Sequence, residues 1–220
     1  GLAKSKDGGR CWTYLGDVIA TRGNGSKNPG FANLGGVPYL IVDGFVHLYF
    51  NEHEGPTESD HRFLSVARAD LREVVSATPS RKPRFRKYRD GGWNEDGMTG
   101  LGSEIIPNSR CLNGAPTSHD FHSDAAYCKP LGRYLITVNT HAANTLKLFS
   151  SADAVAWVFE KDLDVSAGCM HPYSSIVGFG PDSTPDSHEV GSSFSIYFPR
   201  KSLSDYNVET LCRIQCSIKP

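Results

Sequence analysis

Several features are scarce in this chain of 220 residues, and each scarcity excludes a class of protein. No apolar stretch is long enough to cross a bilayer, so the sequence predicts no membrane insertion. The formal net charge is only −1, which gives nucleic acid no bulk electrostatic reason to bind. The six cysteines form no C-x-x-C pair and lack the histidine spacing of a zinc site, so we expect no metal site among them.

A repeated order of strands and turns is the strongest positive signal. The tract 123–157 reads as an apolar strand, a turn, two further strands and a closing Ser-x-Asp-x-x-x-Trp turn. Residues 35–50 and 61–71 repeat the first three strands, and aligning Gly44 with Gly132 puts both tracts in one register. Repeated antiparallel sheets are typical of a β-propeller. The sequence therefore predicts an all-β fold built from consecutive four-stranded antiparallel blades.

The closing turn has a physical explanation. Its full form, S-x-D-x-G-x-x-W, occurs at Ser5–Trp12, and a version one residue shorter occurs at Ser151–Trp157. In such a turn the Asp side chain accepts hydrogen bonds from backbone N–H groups of its own hairpin, and Gly takes the positive-φ position. We expect both Asp residues to be structural, and Trp12 and Trp157 to be buried against neighbouring sheets.

The blade count sets the expected domain organisation. We count a partial blade ending near Ile19 and three further blades at about 36–88, 123–159 and 173–218, so residues 1–220 are predicted to form one β-propeller domain. A little over three sheets cannot close a propeller, and unclosed sheets leave unpaired edge strands. The chain also starts without an initiator Met or a signal peptide. We therefore expect that this chain lacks one or two N-terminal blades of the same polypeptide, and that those blades are its packing partner.

Two segments between predicted blades have the composition of a sugar site. The segment 85–103 carries Trp93, Asn94 and Glu95 among many glycines. An aromatic ring beside carboxylates suits a sugar, because the apolar face of the sugar stacks on the ring and the carboxylates accept its hydroxyl groups. The plain alternatives are that Trp93 covers the seam between blades and that Glu95 is a solvated loop carboxylate.

The second segment, 118–127, contains His122 and Asp124 at the start of a predicted innermost strand. Propellers bind ligands near the ends of these strands, which makes both residues candidates for the site. The corresponding position in the preceding blade is Gly36, so the repeat itself does not require a carboxylate at Asp124. The alternatives are that Asp124 caps a turn and that His122 binds a backbone carbonyl.

The segments 93–95 (Trp-Asn-Glu) and 122–127 (His-Ser-Asp-Ala-Ala-Tyr) resemble the five-bladed β-propeller glycosidases, the superfamily that contains families 32, 43, 62 and 68. Through its blade pattern the resemblance covers nearly the whole chain. In that superfamily one Asp is the base or nucleophile, a second Asp orients it or tunes the acid, and a Glu is the general acid. The resemblance implies that Asp124 is the second Asp and Glu95 the acid, with Glu104 as the alternative.

The same resemblance implies further contacts and shows two departures. It implies substrate contacts by His122, Trp93 and Asn94, and His171 has the location of an axial histidine in family 43 relatives. Family 43 enzymes commonly carry their acid in a Glu-Gly-Pro sequence, whereas the comparable residues 36–38 are Gly-Val-Pro. The first Asp of the superfamily would precede the first residue of this chain. Hydrolysis of a glycosidic bond normally needs two carboxyl groups.

The resemblance implies a secreted or periplasmic glycoside hydrolase that acts on a poly- or oligosaccharide by acid and base catalysis and needs no redox cofactor. The alternative is a carbohydrate-binding propeller without catalysis. A sialidase is a third hypothesis, suggested by the turn at Ser5–Trp12, but the sequence does not supply its arginine cluster. Several five-bladed glycosidases hold an axial calcium ion, and no acidic cluster in this sequence specifies one.

Overall fold

The structure, a computed structural model, is almost entirely β, as the sequence predicts. It describes residues 1–21, 34–53, 62–106, 121–140, 145–165, 169–170, 173–202, 204–205 and 209–218. Within these ranges the one α-helix is α1 (Leu71–Ser76), capped by the Asp70 carboxylate, which accepts a hydrogen bond from the Arg72 N–H. No helix in the described ranges is long and apolar enough to cross a membrane.

Sixteen strands follow one another along the described residues of the chain. In chain order they are β1 (Leu2–Lys4), β2 (Thr13–Gly16), β3 (Tyr39–Val42), β4 (Phe45–His53), β5 (Arg62–Asp70), β6 (Arg86–Arg89), β7 (Gly92–Asp96), β8 (Phe121–Cys128), β9 (Arg133–Thr140), β10 (Thr145–Ser151), β11 (Trp157–Asp164), β12 (Cys169–Met170), β13 (Ser175–Gly178), β14 (Glu189–Val190), β15 (Ser193–Ser202) and β16 (Glu209–Ser217).

These strands form sheets of unequal size, which differs from the expected series of four-stranded blades. One sheet pairs β1 with β2, a second has the order β3-β4-β5-β6-β7, and a third has the order β11-β10-β9-β8-β14. In the fourth sheet, β15 pairs with β12, β13 and β16. The pairing is antiparallel except that β14 adds to β8 in parallel. Two of these sheets have five strands. In the β3–β7 sheet the fifth strand is β7, the second strand of an edge hairpin. In the β8–β11 sheet it is β14, which comes from a later part of the chain.

The sheets pack face to face in the order of the chain. One apolar cluster joins the β3–β7 sheet to the β8–β11 sheet, where Trp157 packs edge-on against Tyr49 with ring centroids 5.7 Å apart. A second cluster joins the other face of the β8–β11 sheet to the last sheet, and a third covers the other face of the β3–β7 sheet with Val18 and Ile19. Strand β8 contacts both β3 and β13, so strands from three successive sheets are neighbours.

The turns confirm the predicted local chemistry. Gly44 and Gly132, which the sequence register aligned, occupy the equivalent turns β3–β4 and β8–β9 and have φ angles of 79° and 58°. In the first closing turn, Asp7 Oδ1 accepts hydrogen bonds from the N–H groups of Arg10 and Cys11, at 3.1 and 2.9 Å. Local hydrogen bonds of this kind fix each turn without help from the rest of the fold.

The two tryptophans of the closing turns differ in burial. Trp157 is 2% exposed, as expected, whereas Trp12 is 65% exposed, so the expectation that Trp12 is buried was wrong. The Trp12 indole N–H donates to the Gly9 carbonyl at 2.9 Å, which holds the ring over its own turn. In the described ranges Trp12 belongs to the two-stranded β1–β2 sheet, which offers a much smaller packing surface than the sheets around Trp157.

A buried ion pair ties several segments together on the far side of the β3–β7 sheet. The side chains of Lys87 and Glu52 are both 0% exposed, and Lys87 Nζ lies 2.6 Å from Glu52 Oε2. The same Nζ donates to the carbonyls of Ala20 and Gly100, each at 2.7 Å, and Glu52 Oε2 also accepts the Gly102 N–H. The pair therefore satisfies backbone groups of two connecting segments that no strand pairing reaches.

Candidate functional site

The candidate site is built around two residues that are paired across neighbouring strands. His47 on β4 and Arg68 on β5 are directly paired across the strands, so both side chains project from the same face of the sheet. On β7, at the edge of the same sheet, the Trp93 ring stacks on His47 with centroids 5.1 Å apart and planes 13° from parallel. Tyr88 packs edge-on against the Trp93 ring at 5.3 Å.

The Arg68 guanidinium lies between two aromatic rings. Its central carbon is 4.2 Å from the centroid of the Phe45 ring and 4.3 Å from that of Trp93. Both distances are within the range of a cation–π interaction. Within the described residues Arg68 makes no hydrogen bond and no ion pair. Burial lowers the pKa of Arg68 from its ordinary value, but arginine stays protonated near neutral pH. Within the described residues, the contacts of the Arg68 charge are therefore with aromatic rings and not with a hydrogen-bond acceptor.

His47 is the neutral member of the group. It is 2% exposed, and neither ring nitrogen has a hydrogen-bond partner in the described part of the chain. Burial, then the nearby positive charge of Arg68, lower the pKa of His47 to about 4, while Asp153 acts in the opposite direction. The ring is therefore uncharged at neutral pH. A buried polar group without a partner is costly, and such groups concentrate at sites that bind something.

These side chains line a pocket of about 280 Å³ at the seam between the β3–β7 and β8–β11 sheets. The volume is close to the lower end of ligand pockets, roughly 300 Å³, and suits one sugar-sized molecule. The lining residues are Val42, Asp43, Phe45, His47, Arg68, Tyr88, Trp93, Asp153 and Val155. The pocket thus combines aromatic rings, one cation and two carboxylates.

The two carboxylates of this pocket differ in how far they are already engaged. Asp153 caps the β10–β11 turn, where its Oδ1 accepts hydrogen bonds from Ser151 Oγ and from the N–H groups of Val155 and Ala156. Burial alone would raise the pKa of Asp153, but those hydrogen bonds together hold it below its ordinary value. Asp43 is exposed in the β3–β4 turn, at a φ of 50°. In the described residues no hydrogen bond of its turn engages the Asp43 carboxylate, so both of its oxygens can accept from a ligand hydroxyl.

Asp124 lies on a different pair of sheets. Its carboxylate, half-buried on β8, accepts the Ile176 N–H of β13 at 2.7 Å and the adjacent Ala125 N–H at 2.9 Å. Desolvation raises the pKa of Asp124, and these two hydrogen bonds oppose the rise only in part. Below it, Thr137 Oγ1 and Ser174 Oγ lie 2.8 Å apart and continue the polar link between the sheets. Asp124 therefore joins β8 to β13, and it holds a carboxyl group that binds protons more readily than usual.

Glu95 and Asp124 lie on different sheets. Segment 85–103 was expected to be a loop between sheets, but Glu95 lies on β7, paired with Lys87 in an edge hairpin. Asp124 lies on β8 of the next sheet. Neither residue is among those that line the seam pocket. That the two carboxyl groups face one pocket therefore stays a prediction.

The other sequence candidates are placed as follows. Trp93 lines the pocket, whereas Asn94 is exposed on β7 and is not among the lining residues. Glu104, the alternative acid, is half-buried after the β6–β7 hairpin. His122 lies on β8, but its side chain is outside the described residues, and His171 is outside them altogether. No group of three or more His, Cys, Asp or Glu side chains in the described ranges could hold a metal ion.

His47 and Arg68 are the residues that sequence reasoning missed. Arg68, in Ser-Val-Ala-Arg-Ala-Asp, alternates with apolar neighbours, and this pattern predicts a structural strand residue. The available signal was that two neighbouring apolar strands each carry an ionisable residue at the same distance from their shared connection. Recognising them as partners requires the register of β4 on β5, which the alternation pattern alone does not fix.

A larger cavity, of about 390 Å³, lies along the outer side of the β6–β7 hairpin. Its charged lining comes from Lys82, Arg84, Arg86, Asp17 and Asp96. The carboxylates already have donors, because Asp17 accepts the Tyr14 hydroxyl at 2.8 Å and Asp96 accepts backbone N–H groups of its own turn. Opposite charges face each other across this open cleft, and no aromatic ring lines it except the buried Phe85. The smaller seam pocket is therefore the better candidate site.

The chain is similar to several solved structures at low sequence identity. No protein-family model and no curated protein matches the chain. Solved structures that it is similar to are glycoside hydrolases. One is described as part of the GH130 family of mannoside phosphorylases, which contains glycoside hydrolases that target β-1,2-mannosidic linkages in Candida mannan. It is 11% identical to this chain, with a TM-score of 0.47. The match covers 82% of this chain and 48% of that one.

A second similar structure is a glycosyl hydrolase from Bacteroides ovatus, with 10% identity and a TM-score of 0.44. The match covers 83% of this chain and 50% of that one. The chain thus spans about half the length of each of these two structures.

Proposed function

We propose that this chain binds carbohydrate in the seam pocket lined by Trp93, Arg68 and Asp43. The observation that carries the proposal is the composition of that pocket: aromatic rings lie beside a guanidinium that has no hydrogen-bond partner in the described residues and beside an exposed carboxylate. A sugar offers the matching chemistry, because its C–H groups pack on aromatic surface and its hydroxyls both donate and accept hydrogen bonds.

The charges in the pocket fit a polyhydroxylated ligand. Arg68 can donate several hydrogen bonds and accept none, while Asp43 can only accept them, so together they suit hydroxyl groups that do both. His47 is uncharged and adds a buried ring beneath Trp93 rather than a second positive charge. The rings of Phe45 and Trp93 already hold the Arg68 side chain, so little conformational entropy is lost when it binds a ligand.

Binding to a panel of neutral and acidic mono- and disaccharides, measured by isothermal titration calorimetry, tests this proposal. We expect at least one sugar to bind, and Trp93→Ala to weaken that binding at least 10-fold while the fold is retained. Trp12→Ala is the matched control, because Trp12 is exposed on a different sheet and its loss should leave the affinity unchanged. Absence of binding across the panel, or equal loss in both variants, would contradict the proposal.

A second candidate function is glycoside hydrolysis, the activity implied by the sequence resemblance. The raised pKa of the Asp124 carboxyl favours it, because a carboxyl group that binds a proton more readily than usual is better suited to act as a general acid or to tune one. A secreted or periplasmic hydrolase of this kind would need a second carboxyl group near Asp124, for which Glu95 stays the candidate from the sequence. The test is turnover of aryl glycosides by the chain and by Asp124→Asn: no turnover by either leaves carbohydrate binding as the function.

We also propose that the stacked sheets are blades of a five-bladed propeller. Two observations support this: successive sheets pack face to face in chain order, and β8 contacts both β3 and β13, so that strands of three successive sheets meet as they would near an axis. On this view residues 1–220 are one domain whose remaining blades come from the same polypeptide. An experimental structure of the longer polypeptide, if it showed a closed ring of sheets, would establish the architecture.

A further inference from the structure

We infer that the seam pocket selects sugars that carry a carboxylate, such as uronic acid residues, through Arg68. This inference rests on the proposed carbohydrate binding and specifies its ligand class. The geometry that carries it is the position of the Arg68 guanidinium, whose central carbon lies over the rings of both Phe45 and Trp93 and which has no anionic partner in the described residues.

A partly desolvated cation without a counter-ion is an unusual feature of a folded protein. Arginine side chains at the surface stay in water, and buried ones are normally paired, because an unpaired buried charge is costly. The Arg68 side chain is half-buried and lines a pocket. The rings of Phe45 and Trp93 lie against the guanidinium, and within the described residues no oxygen accepts a hydrogen bond from its N–H groups. A carboxylate binds such a planar fork through two parallel hydrogen bonds.

The charges around the pocket leave Arg68 available to an acidic ligand. Asp153 lines the same pocket and stays ionised, but its hydrogen bonds hold the carboxylate in its own turn, and it forms no ion pair with Arg68 in the described residues. Asp43 is exposed, so water screens its repulsion of a bound anion. His47 is neutral at pH 7 and neither attracts nor repels the ligand. Arg68 is the one cation among the pocket's lining residues, all of which the structure describes.

Matched pairs of methyl glycosides test the inference, namely glucuronide with glucoside, galacturonide with galactoside and mannuronide with mannoside. Within each pair the two compounds differ only by a carboxylate in place of the C6 hydroxymethyl group. We expect the acidic member of the best-binding pair to bind at least 10-fold more tightly, and to lose that advantage as salt is added. Arg68→Gln should reduce its affinity to that of the neutral member, while Arg68→Lys should keep part of the preference.

The position of His47 next to Arg68 offers a readout that a purely structural arginine would not change. A bound carboxylate should raise the pKa of His47 from about 4, measured by NMR of the ring protons, whereas the neutral sugar should leave it in place. Thermal melting of each variant checks that it is folded.

The outcomes separate the inference from the proposed function. If neutral and acidic sugars bind equally and both depend on Trp93, carbohydrate binding holds and the selection by Arg68 is overturned. A preference for acid that survives Arg68→Gln overturns it as well. If no member of any pair binds, both the proposed function and the inference fail.

Discussion

The guanidinium of Arg68 lies 4.3 Å from the centre of the Trp93 ring, although the two residues belong to strands separated in the sheet by β6. Arg68 reaches across its neighbouring strand, and Trp93 closes over it from the sheet edge. The edge hairpin β6–β7 is therefore part of the seam pocket and completes its aromatic wall. Any change that displaces this hairpin should alter the pocket before it alters the core.

The two closing-turn tryptophans should respond very differently to truncation. We expect Trp157→Ala to lower the free energy of unfolding by about 3–5 kcal/mol, because its ring is buried between two sheets. Trp12→Ala should lower it by less than about 1 kcal/mol, because that ring is mostly exposed. Urea denaturation followed by circular dichroism measures both, and equal effects would mean that the packing of the Trp157 turn is misassigned.

Protonation of His47 should make stability depend on pH. The folded-state pKa of about 4 lies below the ordinary value of 6.5, so between these values the unfolded chain binds more protons and stability falls as the pH falls. From pH 7 to pH 5 this residue alone should remove about 2 kcal/mol from the free energy of unfolding. His47→Phe keeps an aromatic ring under Trp93 and should remove that part of the decline. A variant with the same pH dependence as the parent would refute the assignment.

The buried ion pair should be sensitive to the loss of one partner alone. Lys87→Met removes the buried cation that lies 2.6 Å from the Glu52 carboxylate, and we expect a loss of about 3–5 kcal/mol in the free energy of unfolding. The double variant Glu52→Gln with Lys87→Met should lose clearly less than the sum of the two single variants. Additive losses in this double-mutant cycle would show that the two side chains do not act as a pair.

Asp124 can be tested for its structural and chemical roles separately. Asp124→Ala leaves the Ile176 N–H without its acceptor and should lower the free energy of unfolding by about 1–3 kcal/mol. Asp124→Asn keeps an acceptor oxygen and should restore most of that loss. If the longer polypeptide hydrolyses glycosides, the Asn variant should be folded but inactive. A folded Asn variant with full activity would exclude Asp124 from the chemistry.

The sequence predicted those parts of the fold that depend on local contacts. The capping of the closing turns by Asp7 and Asp153 was predictable because each carboxylate binds N–H groups within four residues. The turns at Gly44 and Gly132 were predictable for a similar reason, since a positive φ favours glycine wherever the turn occurs.

The site depended on pairings between distant segments, which alternation of apolar residues does not specify. Glu95 was expected in a loop between blades, but residues 92–96 add a strand to the sheet after a connection that includes α1 and the segment to Phe85. Arg68 became a site residue only because β7 carries Trp93 back over it. The same residue types with a different strand order would give no pocket.

The chain contains three tryptophans, at Trp12, Trp93 and Trp157, and their indole N–H signals provide the most direct test of carbohydrate binding in the seam pocket. In a titration with the sugar that binds, followed by ¹H–¹⁵N NMR and assigned with Trp93→Phe, we predict that the Trp93 signal shifts and saturates. The Trp12 signal, from an exposed ring on another sheet, should stay in place. A saturable shift of Trp12 with none at Trp93, or binding that moves no tryptophan signal, would contradict the account.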